Sequence, residues 1–453
     1  MASGMHPSAG FGWFSIARIG LVQASIGALV MMATTVLNRL MVVEYGLVAA
    51  IPAGLVAWHY AVQLGRPIWG HGSDQGKSRT PWIIGGMVVL AGGALLATQA
   101  TLMMAEPSNA AFALAILAYA IIGVGVGAAG TSALALLASS VAPQRRAPAA
   151  ALTWIMMIAG IVVSAITVGA AIKPFTPERL TEVSFILAAV AIGVTALAAW
   201  GLDSKQYTFE ETSKSDAAPD FREAIREIFA ERAARRFTIF IFVSMMAYNM
   251  QDLILEPFAG QIFGMAPGDS TQLGGMLNAG GLAGMIVAGI GGSAFQARLP
   301  SDLRFWIVSG CLGSAIGLAG LAAGAVIGPG WPLTANVLFL GFCNGVFAVA
   351  AIGAMMGLAG AGEKTREGVR MGVWGASQAI AFGFAGLVGA AGRDVAHWIL
   401  GDLGSAYQIV FVFEGLLFVA AALLALLISA PIRKSPPAQS IQPEPEPEAE
   451  VFA

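Results

Sequence analysis

Residues 111–139 read AFALAILAYAIIGVGVGAAGTSALALLAS, a stretch without a single charged residue. About 20 consecutive apolar residues in an α-helix cross a hydrocarbon layer of about 30 Å. Similar runs recur along the chain. Twelve of them are candidate transmembrane helices: residues 16–40, 48–69, 82–104, 111–139, 149–171, 183–201, 237–260, 272–293, 304–327, 332–358, 370–391 and 407–430. The sequence therefore predicts an all-α membrane protein.

The overall composition supports the same fold class. Of the 453 residues, 57% are hydrophobic and 11% are charged, and the mean hydropathy is +0.76. A soluble domain usually has about 25% charged residues. Many of the 57 glycines lie inside the apolar runs, where small residues allow helices in lipid to approach closely. A soluble protein is thus excluded.

The two cysteines and the N-terminus carry no sign of secretion or metal binding. Cys311 and Cys343 lie inside apolar runs, so we expect two small buried hydrophobic residues and neither a disulfide nor a metal pair. Residues 1–12 have almost no positive charge ahead of the first apolar run. A removable signal peptide is therefore not expected.

Basic residues predict the orientation, because Lys and Arg stay on the cytoplasmic side of a membrane. They are concentrated in alternate loops and in the central segment, residues 202–236. The loop positions are Lys77, Arg79, Arg145, Arg146, Arg298, Arg304, Lys364, Arg366 and Arg370. The intervening loops contain only Lys173, Arg179 and Arg393. Both termini and the central segment are therefore predicted to be cytoplasmic.

The predicted domain organisation follows from these spans. It comprises a cytoplasmic N-terminus (1–15), a six-helix half (16–201), a cytoplasmic linker (202–236), a second six-helix half (237–430) and a disordered tail (431–453). In the linker, Asp220 and Glu223 have the spacing of a capping box, and apolar residues then follow at helical spacing. An amphipathic helix at the membrane surface and a solvated linker helix both fit this pattern.

The two predicted halves are weakly similar to each other. Trp82 and Gly86 open the third helix, and Trp306 and Gly310 open the ninth at the same offset. Two six-helix halves joined by a long cytoplasmic loop are the layout of the major facilitator fold, in which the halves are parallel repeats. Within the second half, two small-xxx-small pairs, Gly280/Gly284 and Gly341/Gly345, predict close helix contacts.

The loop after the second helix contains a candidate cytoplasmic latch. Gly70 is followed four positions later by Asp74, and Lys77 and Arg79 supply positive charge. This loop resembles the corresponding loop of major facilitators, although Gln75 stands where a basic residue is usual. The carboxylate could fasten the cytoplasmic ends of neighbouring helices. An ordinary turn with solvated charges is the alternative.

A second candidate site lies where the first and seventh helices end. Charged and polar residues in the membrane are costly unless they are paired or face a cavity. The cluster comprises Asn38, Arg39, Glu44, Asn249, Gln251, Asp252 and Glu256. Asp252 and Glu256 are four residues apart and share a helix face, and Arg39 is predicted to pair with one of them. The cluster could be a gate or polar-group site near the outer face, or a charged clamp that holds the halves together.

Two further polar residues lie deep in predicted spans. His59 could ligate a metal such as the magnesium of a chlorin, or could hydrogen-bond within the bundle. Glu414, in the last helix, is expected to face a neighbouring helix or a partner. No second carboxylate lies within four residues of Glu414, which argues against a proton relay. The chain has no Walker loop, metalloprotease helix or nucleophile elbow, so neither an enzyme nor a resident metal is expected.

Two motifs resemble a known family. The segments 35–44 (TVLNRLMVVE) and 250–257 (MQDLILEP) are similar to signatures of the bacteriochlorophyll delivery (PucC-like) family, a branch of the major facilitator superfamily in phototrophic bacteria. The resemblance spans residues 23–428. Residues 59–74 look nearer to members encoded with bacteriochlorophyll synthesis genes than to the antenna-specific members.

The resemblance implies a non-enzymatic factor that delivers bacteriochlorophyll or assembles light-harvesting complexes in the photosynthetic inner membrane. Its cargo would be bacteriochlorophyll or a precursor. Its partners would be membrane lipid, bacteriochlorophyll synthase and light-harvesting or reaction-centre subunits, with no role for nucleic acid. The alternative is a secondary transporter of a small solute. Beyond the cluster, Asn344 is the main polar addition on the central helices, and this scarcity of polar groups favours delivery.

Overall fold

The computed structural model describes residues 10–65, 78–142, 145–202, 232–293, 303–360 and 367–427, which are helical and contain no strand. The helices are α1 (Trp13–Met31), α2 (Ala50–Val62), α3 (Thr80–Met103), α4 (Asn109–Ser140), α5 (Arg146–Ala171), α6 (Pro177–Ala199), α7 (Arg232–Met250), α8 (Leu255–Phe263), α9 (Pro267–Ser293), α10 (Leu303–Ile327), α11 (Leu333–Gly360), α12 (Glu367–Leu400) and α13 (Leu403–Leu427). We call α1–α6 the N-terminal half and α7–α13 the C-terminal half.

Several helices begin at side chains that satisfy their first backbone N–H groups. Ser108 accepts from the N–H of Ala111 at the start of α4, and Thr176 does the same at the start of α6. Before α13, Asp402 accepts from the N–H of Ser405 at 2.6 Å. This bond lowers the pKa of the Asp402 carboxyl group, so it stays ionised beside the positive end of the helix dipole.

The first helix of each half departs from regular α-helical geometry at the same place. After Met31, α1 continues through two π-helical segments, Met32–Leu37 and Leu40–Glu44. In the second half, α7 ends in a 3₁₀ turn, Gln251–Leu253, and α8 leaves it at a bend of 42°. Such irregular turns are frequent at functional sites. Both coincide with the polar motifs that the sequence singled out.

The helices agree with a multi-pass membrane protein. Eight described helices are long and apolar enough to cross a membrane, and α7 with α8 forms a ninth as a bent pair. The described parts of α2, α9 and α12 do not reach the same apolarity or length. Two of these helices, α2 and α12, pack on each other across the halves, and α9 packs on α5. If α7 and α8 are counted together, the described residues contain twelve helices, of whatever apolarity.

Corresponding glycines make corresponding contacts in the two halves. In α3, a Cβ on Gly86 would lie 2.5 Å from the backbone nitrogen of Ala129 in α4. In α10, a Cβ on Gly310 would lie 2.6 Å from the backbone nitrogen of Phe347 in α11. The weak similarity between the halves therefore reflects equivalent helix pairs that pack with their backbones in contact.

The small-xxx-small prediction is confirmed as a contact within one chain. A Cβ on Gly280 or Gly284 in α9 would strike the backbone of α11 at Leu338 or Phe342. The reverse holds for Gly341 and Gly345, which face the backbone of α9. Helices α9 and α11 are thus close enough that only glycine fits between them.

The predicted linker helix, residues 220–229, and the tail beyond residue 427 lie outside the described residues. The boundary of the two halves at 202–236 and the cytoplasmic placement of the termini stay predictions.

Candidate functional site

Arg39 lies at the end of the first helix and is almost fully buried, with 1% of its surface exposed. Its Nη1 donates to Oε1 of Glu44 at 2.5 Å. The predicted ion pair between Arg39 and Asp252 or Glu256 was therefore wrong. The reason is local: the π-helical segment Leu40–Glu44 places a residue five positions on above Arg39, whereas a regular α-helix brings together residues three and four apart.

Asn38 and Arg39 nevertheless join the two halves. The amide nitrogen of Asn38 donates to the backbone carbonyl of Leu253 at 2.8 Å. Nη2 of Arg39 donates to the backbone carbonyl of Met265 at 2.6 Å. Both acceptors belong to the C-terminal half and flank α8. Charged donors form strong hydrogen bonds, so this contact holds the end of α1 against the bend between α7 and α8.

Further polar bonds join the halves at the same end of the bundle. Nζ of Lys173 donates to Oδ1 of Asp269 at 2.5 Å, between the end of α5 and the start of α9. The N–H of Ala50, at the start of α2, donates to Oδ2 of Asp394 in α12 at 2.7 Å. Arg393 pairs with the other oxygen of Asp394 at 2.5 Å. We call the bonds made by Asn38, Arg39, Ala50 and Lys173 across the halves the inter-half clamp.

The hydroxyl group of Tyr45 lies beside this clamp. Its pKa is raised by burial and by the neighbouring Glu44 carboxylate. Tyr45 therefore stays neutral and adds no charge to the Arg39–Glu44 pair.

A central cavity of about 440 Å³ lies between the halves, beneath the clamp. Apolar side chains of α1 and α5 form one wall, among them Ile26, Val30 and Ile161. Polar side chains also line the cavity: Thr34, Thr35, His59, Tyr60, Gln63, Tyr248, Asn249, Asp252, Glu256 and Asn278. The volume lies within the range of about 300–1,000 Å³ that is usual for small-molecule sites, and the lining is amphipathic.

Beyond the predicted cluster and His59, the polar lining residues that the sequence analysis did not name are Thr34, Thr35, Tyr60, Gln63, Tyr248 and Asn278. All the polar lining residues come from α1, α2, α7, α8 and α9 together with the irregular turns that continue them, one to three from each, and Asn344 is not among them. Asn344 instead accepts from the hydroxyl group of Ser314 at 2.7 Å and lines a small adjoining pocket. A signal for the missed groups was present in Thr34 and Thr35, which precede the Asn38–Arg39 motif.

Within the cluster predicted from the sequence, the acidic residues occupy different environments. Asp252 is exposed to the central cavity and also borders two smaller pockets. Glu256 is 1% exposed. One of its oxygens lies 3.5 Å from the hydroxyl group of Thr271, and the other has no hydrogen-bond partner. Asn249 donates from its side chain to the carbonyl of Phe382 at 3.3 Å, which fixes it at the cavity wall.

His59 lines the cavity but has both ring nitrogens engaged. Nδ1 lies 2.9 Å from the carbonyl of Val56, and Nε2 lies 2.8 Å from the side-chain nitrogen of Gln63. A carbonyl can only accept, so Nδ1 carries the proton and Nε2 accepts from Gln63. A metal could bind Nε2 only after the amide of Gln63 moves away.

The candidate latch is only partly described. Gly70, Asp74 and Lys77 lie outside the described residues, so the latch stays a prediction. Arg79 donates to the hydroxyl group of Ser139 at 2.9 Å, which joins the start of α3 to the end of α4.

Glu414 faces a neighbouring helix, as the sequence suggested. It is completely buried in α13, and the backbone N–H of Gln251 faces its carboxyl group. Asp252 is the next residue in the 3₁₀ turn after α7. A second carboxylate is therefore close in space although none is close in sequence. The argument against a proton relay at Glu414 concerned sequence spacing alone and stays a prediction.

Comparison with known proteins gives a family match. A family model described as "PUCC protein" matches residues 36–432. A protein of Rhodobacter capsulatus named "Bacteriochlorophyll synthase 44.5 kDa chain" is 49% identical over 414 residues, which is 91% of this chain and 95% of that protein. "Protein PucC" of the same organism is 28% identical, with 90% and 91% of the two chains covered.

Solved structures support the fold assignment. A bacterial homologue of the human lysosomal transporter Spinster, in an inward-facing and unoccupied conformation, aligns with a TM-score of 0.69 at 15% identity and covers 94% of this chain and 98% of its own. A peptide transporter of the POT type aligns with a TM-score of 0.65 at 14% identity, covering 92% and 95%. The chain therefore has the major facilitator fold that the sequence predicted.

Proposed function

This chain belongs to the PUCC protein family, and on that basis we propose that it is a non-enzymatic factor that handles bacteriochlorophyll during the assembly of light-harvesting complexes. The observation that carries the proposal is the near full-length similarity to a relative named as a bacteriochlorophyll synthase chain. The name of that relative leaves open whether it is itself catalytic. In this chain the polar side chains of Asn38, Arg39 and Lys173 hold helices together, which favours a non-catalytic role.

The proposed cargo is bacteriochlorophyll or a precursor. Such a pigment combines a ring that has polar groups with a long apolar tail, and the central cavity is lined by both apolar and polar side chains. Burying each CH₂ group of the tail contributes about 0.8 kcal/mol, so the free pigment partitions into lipid by itself. It needs escort to a recipient more than passage across the membrane.

The proposed partners follow from the same reasoning. A lipid-soluble pigment would be received from bacteriochlorophyll synthase or passed to light-harvesting or reaction-centre subunits, with membrane lipid around the protein. We place the chain in the photosynthetic inner membrane with both termini in the cytoplasm, since Lys and Arg are concentrated in alternate loops. The inter-half clamp would then lie on the periplasmic side, and the latch on the cytoplasmic side.

Secondary transport of a small solute is the second candidate function. The observation in its favour is the cavity between the halves, which polar groups from both halves line beneath a set of clamp bonds. In alternating access, a fixed central site is exposed by rocking one half against the other. On this reading the clamp of Asn38 and Arg39 is the outer gate.

The absorbance spectrum of the gently solubilised full-length protein distinguishes the two functions. Pigment delivery predicts a co-purifying chlorin band, and deletion of the gene in a phototrophic host should lower antenna absorbance while respiratory growth stays normal. Unchanged antenna absorbance in the deletion strain, together with no chlorin in the purified protein, would overturn delivery in favour of solute transport.

The role of His59 as a pigment ligand is tested by three matched variants. His59→Phe should lower the amount of bound chlorin if Nε2 ligates the magnesium. Gln63→Leu removes the amide that occupies Nε2, so binding should persist or rise. His397→Phe is the control, because this histidine lines a pocket at the end of α12 and not the central cavity. Equal chlorin in wild type and His59→Phe would exclude ligation by His59.

A further inference from the structure

The bend between α7 and α8 has too few hydrogen-bond donors. Four buried acceptor atoms there have no partner: Oε1 of Gln251, Oε1 of Glu256, and both carboxyl oxygens of Glu414. The residues that carry them are each at most 1% exposed. Buried polar atoms are normally hydrogen-bonded. A protonated carboxyl group at the bend would supply the missing hydrogen-bond donor.

Glu414 gives the strongest indication. The backbone N–H of Gln251 faces its carboxyl group, but neither oxygen completes a hydrogen bond of normal geometry. Burial of an ionised carboxylate without a partner is strongly unfavourable, most of all inside a membrane. A protonated carboxyl group has no net charge and provides one O–H donor. Glu414 is therefore neutral in this structure.

Asp252 lies next to Glu414 but in a different environment. Its side chain opens to the central cavity, where water can reach it. Glu414 in α13 is closed off from that water by its complete burial. Of the two neighbouring carboxyl groups, only the one of Asp252 can exchange a proton without a structural opening.

The surroundings of Asp252 supply no permanent positive charge. The titratable groups nearby are Tyr248 and Glu256 on its own segment, Glu414 on α13, and His59 and Tyr60 on α2. Arg39, at the end of α1, lies closer to Glu256. The guanidinium group of Arg39 is bonded to Glu44 and to the carbonyl of Met265, and no Lys or Arg lines the described cavity.

We propose that Asp252 and Glu414 form a proton-binding pair at the wall of the central cavity. Glu414 retains its proton, and Asp252 takes up a proton from a hydronium ion in the cavity, which leaves water. The site lies one residue before Leu253, whose carbonyl accepts from Asn38 across the halves. A change of charge at Asp252 therefore occurs directly beside the inter-half clamp. The proposal does not depend on whether the protein handles a pigment or a small solute.

Infrared spectroscopy of the purified full-length protein in lipid nanodiscs tests the pair, because protonated carboxyl groups have their own carbonyl-stretch band. Above about pH 6, where exposed carboxyl groups with a pKa of about 4 are ionised, the wild type should show a component that does not respond to pH and one that does. In this range Glu414→Gln should weaken the constant component, since the equally buried Glu256 leaves a contribution of its own, and Asp252→Asn should remove the pH-dependent one. Glu178→Gln, an exposed carboxyl group at the start of α6, is the control and should remove neither.

A conservative variant keeps the test decisive if Glu414→Gln does not fold. Glu414→Asp retains a protonatable group, so the constant component should shift in frequency and persist. An unchanged band in Glu414→Asp, or a pH-dependent component that survives Asp252→Asn, would overturn the proposal. Because the readout requires no pigment, its failure is distinguishable from the failure of the proposed delivery function.

Discussion

Removing Glu44 should destabilise the protein more than removing Arg39, although the two residues form one ion pair. Glu44→Leu leaves the guanidinium group of Arg39 buried at 1% exposure without its counter-charge. Breaking a buried pair in this way costs about 3–5 kcal/mol. We expect a loss near the lower limit, about 3 kcal/mol, because the carbonyl of Met265 still accepts from Arg39.

Arg39→Leu removes the buried charge itself. The side chain of Glu44 is 36% exposed, so its carboxylate regains water and contributes little to the loss. The main cost is the charged hydrogen bond to the carbonyl of Met265, which is worth about 1.5–3 kcal/mol. The double variant should be about as stable as Arg39→Leu alone, because no unpaired guanidinium group remains.

Unfolding free energies from denaturant titration in mixed micelles measure these differences. Non-additivity toward the upper end of about 0.5–3 kcal/mol is expected for the Arg39/Glu44 cycle. The matched cycle of Arg39→Leu with Asp252→Asn should be additive to within about 0.3–0.5 kcal/mol. Additive Arg39/Glu44 changes, or strong coupling between Arg39 and Asp252, would refute the pairing within the first helix.

Three further measurements follow. Gly284→Ala should cost about 1–3 kcal/mol of unfolding free energy through overpacking. A Cβ at Gly289, on the same helix, would lie more than 4 Å from any atom outside that helix, so Gly289→Ala should be neutral or slightly stabilising in the same titration. Equal losses would contradict the close packing of α9 on α11. Lys173→Ala should lower stability by at most about 1 kcal/mol, because its ion pair is 36% and 47% exposed, and added salt should shrink the difference. Reporter fusions near Ser213 and after Pro436 should both report cytoplasm, and a periplasmic signal at either site would overturn the orientation.

The sequence was sufficient for the fold because helix length and apolarity are local properties. Charge-free runs such as 111–139 identify membrane helices, and glycine spacing in α9 and α11 identifies a close contact. A search by length and apolarity misses the helices that pack against the other half. Helices α2 and α12 pack on each other across the halves, and polar residues such as His59 in α2 and Arg393 in α12 are buried, so these helices need less apolar surface.

The candidate site was less predictable, because its residues meet only in three dimensions. Five helices and the turns that continue them contribute one to three polar groups each, such as Tyr60 from α2 and Asn278 from α9. No local pattern in the sequence relates them. The partner of Arg39 was missed for a different reason: helical spacing assumes α-helical geometry, and Glu44 reaches Arg39 through a π-helical segment.

A mutation can remove the donor, but not the acceptor, of the hydrogen bonds that Asn38 and Arg39 make across the halves. Both donors are side chains, but both acceptors, at Leu253 and Met265, are main-chain carbonyls. Every amino acid provides such a carbonyl, so a missense change at either acceptor position cannot delete it. Substitutions at Leu253 or Met265 therefore leave these two hydrogen-bond acceptors in place, whereas substitutions at Asn38 or Arg39 remove the donors.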